Sequence, residues 1–171
     1  MDLLLLIPLL ALLGSAVYSD IRAHRIPNLC LALGVVASAV GQVALGGLDG
    51  LLAWAGGLAV GLLCFLPLYL AGGMAAGDVK LMAVAGSYLG VTSALLAVVC
   101  SLLAGGVLGV LFLLYKKQLW RSLQRYRAIA SLRAYIDPEA DDAVRQRFPY
   151  ALAILLGCLP SVYLQFARAG V

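Results

Sequence analysis

The stretch Gly72-Gly73-Met74-Ala75-Ala76-Gly77-Asp78-Val79-Lys80 stands between long apolar runs. Gly77 admits backbone dihedrals closed to other residues. Asp78 then falls where a helix would start, against the positive end of its dipole. A carboxylate at the edge of hydrocarbon carries a large desolvation cost, so it marks a candidate functional site. One other acid is similarly placed: Asp20, just past the first apolar run. The expectation is that Asp20 and Asp78 meet.

Composition fixes the class around this stretch. Of 171 residues, 64% are hydrophobic and only 12% are charged. A soluble domain is nearer half apolar and a quarter charged. The sequence therefore implies an all-α, polytopic membrane helix bundle, residues 1–171 forming a single membrane-embedded domain. The net charge of +4 fits cytoplasmic loops facing anionic lipid, so no nucleic-acid partner is expected. Cys30, Cys64, Cys100 and Cys158 each stand alone in an apolar run. No metal site is expected from them, and buried structural thiols fit better. Met1-Asp2-Leu3 lacks the basic start of a signal peptide, so the first apolar run is expected to stay as a membrane helix.

Working outward, Leu3–Val17 is apolar and extends through Asp20 as the first span. Ile21–Asn28 is expected as a loop, with Pro27 at a turn and Asn28 capping the next helix. Leu29–Leu45 is a second span, Gly46–Gly50 a tight turn, and Leu51–Ala71 a third span, with Pro67 a candidate kink. Leu81–Tyr115 carries no charge over 35 residues. One helix of that length would reach about 52 Å, too long for one bilayer. A break at Gly90 divides it. The first part, Asp78–Leu89, spans only about 18 Å, so its start must be sunk below the membrane surface. Pro149–Ala167 completes a count of about six transmembrane segments.

Charge tests that count. With the break, loops 18–28, 72–80 and 116–148 share one side and hold eleven of the twelve Lys and Arg residues. The positive-inside rule makes that side cytoplasmic and puts both termini outside. Asp20 and Asp78 then share the cytoplasmic face. Within 116–148, Leu119, Trp120, Leu123, Tyr126, Ile129 and Ala130 recur at helical spacing among arginines, which predicts a cytoplasmic amphipathic helix at the interface. A second short helix begins at Asp137-Pro138-Glu139; its acids read as a solvated face.

Two adjacent carboxylates in opposite protonation states can hydrolyse a peptide. The ionised one takes a proton from water while the other donates to the scissile carbonyl. Glycine beside the acid lets a substrate backbone approach. Lys80 lies about 200° round the helix from Asp78; it either snorkels to headgroups or meets an acidic group on the substrate. His24, the sole histidine, reads as solvated beside Arg22 and Arg25. The residues thus imply a membrane-embedded aspartyl protease that needs no cofactor.

Asp20-Ile21-Arg22-Ala23-His24-Arg25-Ile26-Pro27-Asn28 resembles the first-aspartate motif of type IV prepilin peptidases, and Gly77-Asp78-Val79-Lys80-Leu81 resembles their second. The six spans are similar to the short form found with tight-adherence (Flp) pilus systems. The resemblance implies cleavage of prepilin or pseudopilin leader peptides at the cytoplasmic face of the bacterial inner membrane. Asp20 and Asp78 would be catalytic, with Gly77, Lys80, Arg22, Arg25 and Asn28 as motif residues able to contact substrate. Long members also methylate the product with S-adenosylmethionine; nothing in this sequence marks a separate methyl-donor site.

One position departs from the family pattern. Its second motif is usually Gly-x-Gly-Asp, and Ala75 replaces the first glycine. If that site needs a positive φ, alanine is strained; if it needs only a small residue, alanine suffices. Two competing functions follow from the same residues. One is a proton-coupled transporter that uses the acids as relay groups. The other is a catalytically idle scaffold of a pilus or secretion machine.

Overall fold

In a computed structural model the protein is all-helical over the described residues, which are 3–23, 25–115 and 150–169. The helices are α1 (Leu3–Ala23), α2 (Asn28–Leu70), α3 (Ala76–Leu89), α4 (Val91–Tyr115) and α5 (Tyr150–Ala169). The chain divides into two compact units, Met1–Gly105 with Pro149–Val171, and Gly106–Phe148. Both aspartates belong to the first unit. The expected amphipathic helix, the short acidic helix and His24 lie outside the described residues.

Among the described residues four helices, α1, α2, α4 and α5, are long and apolar enough to cross a membrane, against the six segments expected, because two expected spans are merged in α2 and α3 is short. α2 has 43 residues, about 65 Å if straight, but it is not straight. Gly47 takes φ 54°, ψ −124° and breaks it into arms 28–46 and 48–70. The indole Nε1 of Trp54 donates to Ser38 Oγ at 3.1 Å. Sixteen residues along one straight helix would put them about 24 Å apart, so the arms fold back on each other as a hairpin. The turn expected at Gly46–Gly50 is therefore present inside α2. Helical dihedrals continue through Pro67, where a kink was expected. α3 is shorter still: its 14 residues rise about 21 Å, less than the hydrocarbon thickness.

α3 is the centre of the bundle. From Asp78 to Gly90 every residue except Lys80 is buried, as expected of a helix apolar on all sides. Leu9 and Leu13 of α1, Leu81 and Met82 of α3, and Ile154 and Cys158 of α5 share its core. Outward faces carry Ile7, Leu33, Val40 and Leu103, all exposed. Such a surface suits lipid rather than water.

The second arm of α2 meets α3 through small residues. A Cβ on Gly57 would overlap the Gly86 carbonyl, and one on Gly61 would overlap the Met82 carbonyl. Gly57 and Gly61 form the small-x-x-x-small spacing that lets membrane helices approach closely. The pairing of 57 with 86 and 61 with 82 makes the two helices antiparallel. One further turn along this register brings Phe65 to the level of Asp78.

α3 ends at Gly90, whose φ of 74° and ψ of 172° stop the helix. The last carbonyls of a helix have no partner within it. Gln42 Nε2 donates to Tyr88 O at 3.0 Å and, less closely, to Ser87 O at 3.3 Å. Gln165 Nε2 donates to Leu89 O at 2.9 Å. A helix end in an apolar setting is thus satisfied by two amide side chains. The break expected at Gly90 is where the structure has it.

Candidate functional site

Asp78 lies in the first turn of α3. Its Oδ2 accepts the backbone N–H of Ala75 at 3.2 Å, so the carboxylate satisfies one of the donors exposed at a helix start. Asp20 lies one turn before the end of α1, which runs on to Ala23 instead of stopping at Asp20. Its Oδ2 accepts the N–H of Ala151 at 3.3 Å, in the first turn of α5. Each acid is therefore held at a helix N-terminus, a favourable place for negative charge. The side chains are buried, Asp20 at 8% and Asp78 at 5% exposure. They lie close enough for the charge of Asp20 to act on Asp78.

Tyr150 joins them from α5. Its hydroxyl lies within electrostatic reach of Asp78, and its ring meets Phe65 edge-on, with centroids 6.2 Å apart and planes at 80°. Neither aromatic was singled out from sequence. Tyr150 opens an apolar run, where a tyrosine reads as an ordinary interfacial residue. The Gly57–Gly61 spacing, which the sequence reading did not use, extends by one turn to Phe65 and is a signal from which that residue could have been found.

A model of the type IV leader peptidase family matches residues 7–110. The chain belongs to the type IV leader peptidase family. That match covers both aspartates, Phe65 and Gly105, and stops before Tyr150. No curated protein and no solved structure matches the chain. Membership makes it a peptidase by family, and its long apolar helices make it a multi-pass membrane protein.

The remaining motif residues of this leader peptidase family member are disposed less uniformly. Arg22 is exposed, and its Nη1 donates to Tyr18 O–H at 2.6 Å, one turn back on α1. Arg25 is exposed; its carbonyl accepts from Ser19 Oγ at 2.7 Å, which ties the loop to α1. Asn28 is not the cap of α2. Pro27 occupies that position without a side-chain bond, and Asn28 Oδ1 instead accepts from Lys80 Nζ at 3.3 Å. Lys80 is the exposed residue of α3 beside the acid and bridges two helix starts.

Gly77 does not use glycine's conformational freedom, because its φ is not positive. A Cβ there would find Ile26 at 3.6 Å, an ordinary contact. Neither the backbone conformation nor the room around it therefore requires glycine at this position. Ala75 has φ −81° and ψ 152°, an extended conformation open to any residue. Alanine is therefore unstrained where the family pattern has glycine. Among the described residues no group of His, Cys, Asp and Glu is arranged to hold a metal ion.

Proposed function

We propose that this membrane peptidase is an aspartyl endopeptidase that removes the leader peptide of type IV, Flp-type prepilins or pseudopilins. Asp20 and Asp78 are its catalytic pair, working at the cytoplasmic face of the bacterial inner membrane. The observation that carries the reading is the placement of two buried carboxylates, from α1 and α3, each at a helix N-terminus and within electrostatic reach of one another. Family membership and the eleven-to-one charge asymmetry support it.

In this mechanism one carboxylate is ionised and takes a proton from water as the water oxygen attacks the scissile carbonyl carbon. The other is protonated and donates to the carbonyl oxygen. The tetrahedral intermediate collapses, the C–N bond breaks, and the leaving amine receives a proton from the pair. Gly77, beside the acid, presents no side chain to the approaching substrate backbone. Lys80, Asn28, Arg22 and Arg25 form the polar rim through which the leader enters. The unstrained Ala75 supports an active enzyme over an idle scaffold.

The test incubates purified protein in detergent with candidate prepilins and determines the mass of the new N-terminus. Cleavage by the wild type, lost in both Asp20→Asn and Asp78→Asn, is expected. Continued trimming by either variant refutes the pair.

A further inference from the structure

Tyr150 opens α5 one residue before Ala151, whose N–H holds Asp20. Its phenol is confined on two sides. Phe65, wholly buried, presents its ring edge-on to one side. On the other stands Gly105 of α4, where any Cβ would overlap the phenolic oxygen and ring. A tyrosine that merely anchors a helix at the membrane surface is largely exposed, as Tyr18 is at 62% and Tyr163 at 72%. Tyr150 is instead half-buried, with its hydroxyl directed inward.

The chemistry of the site calls for such a group. Attack of water places negative charge on the scissile carbonyl oxygen, next to a carboxylate that must be ionised for the reaction to begin. A donor aimed at that oxygen is then worth far more than one in water. The nearby cations are directed elsewhere. Lys80 is exposed and donates to Asn28, and Arg22 is exposed and donates to Tyr18. The phenol is a neutral O–H donor within electrostatic reach of Asp78 and can add a second hydrogen bond to the oxygen that the protonated acid also serves.

Resting on the reading of Asp20 and Asp78 as the acids of peptide cleavage, we infer that Tyr150 is a third catalytic residue, held by Phe65 and Gly105 so that its hydroxyl donates to the scissile carbonyl oxygen as that oxygen becomes tetrahedral. The bond strengthens as charge develops, so its loss falls on turnover rather than on substrate binding.

Tyr150→Phe keeps the ring and removes the donor. Gly105→Ala keeps the donor and pushes it out of place. Initial rates on a prepilin, measured over a range of substrate concentrations, should show kcat falling about 100-fold in Tyr150→Phe. KM should stay within about threefold of the wild type. Gly105→Ala should lower kcat in the same way, and the double variant should be no slower than Tyr150→Phe alone. Wild-type kcat in Tyr150→Phe overturns the inference, as does a loss confined to KM. Should Tyr150→Phe fail to fold, wild-type kcat in Gly105→Ala overturns it equally. Absence of cleavage by the wild-type protein defeats the underlying protease reading instead, so the two failures are distinguishable.

Discussion

The carboxylate of Asp20 accepts the N–H of Ala151 at 3.3 Å, joining the end of α1 to the start of α5 across 131 positions of sequence. The bond gives Asp20 a structural task beside its proposed chemical one. Asparagine keeps an oxygen able to accept that N–H but loses the charge at a helix N-terminus. Relief of burial and of repulsion from Asp78 offsets that loss, so Asp20→Asn should keep its fold while losing all trimming of prepilin. Thermal unfolding in detergent and the cleavage assay, run on the same preparation, separate the two effects.

Gln42 and Gln165 close the far end of α3. Replacing either by leucine leaves carbonyls of Ser87, Tyr88 or Leu89 without their amide donors. Hydrogen bonds between membrane helices average about 0.6 kcal/mol and reach about 2 kcal/mol. A loss in that range is expected for each variant, seen as a lower unfolding midpoint, with cleavage retained at permissive temperature.

Gly90 holds dihedrals that are essentially confined to glycine. Gly90→Ala should cost about 1–3 kcal/mol. By contrast, Ala75 needs no such freedom, so Ala75→Gly should leave cleavage within about twofold, an energy below about 0.5 kcal/mol. A large gain in rate for Ala75→Gly would mean that the site requires a backbone conformation other than the extended one seen.

A pair of interacting carboxylates titrates as a unit with two apparent pKa values. The proposed reaction needs one ionised and one protonated acid. Cleavage should therefore follow a bell-shaped pH profile, falling on the acid side as the base is protonated and on the alkaline side as the second proton leaves. Rates measured in proteoliposomes buffered equally on both sides would check this. A rate that rises to a plateau would contradict the two-acid scheme.

Some of this was legible in the sequence because bulk limits enforce it. A 35-residue uncharged run cannot be one straight span, so Gly90 had to break it. The same limit, with the glycine cluster, locates the hairpin turn at Gly47. Asp78 at a helix start could be read from the glycines and apolar residues around it. Other features depend on partners distant in the chain, which local pattern does not encode. Asn28 reads as a helix cap until Lys80, 52 positions later, is seen to use its oxygen. Gly77 reads as a backbone device until its place inside α3, without a positive φ, shows that it is not one. Tyr150 comes within electrostatic reach of Asp78 only because α5 returns beside α3, and one tyrosine at the start of an apolar run resembles any other.

The main chain of 48–70 lies directly on that of α3 at Gly57 and Gly61, with no side chain between them to bend. Asp78 is therefore set at one depth, like a stop on a ruler, and cannot rise or sink to suit a badly seated peptide. If the two acids work as the proposed pair, any adjustment that aligns them falls to Asp20, whose helix is tied to the last one through Ala151. On the proposed mechanism, substrate selection becomes a matter of depth: the bond to be cut is the one that an incoming chain presents at the level of Asp78.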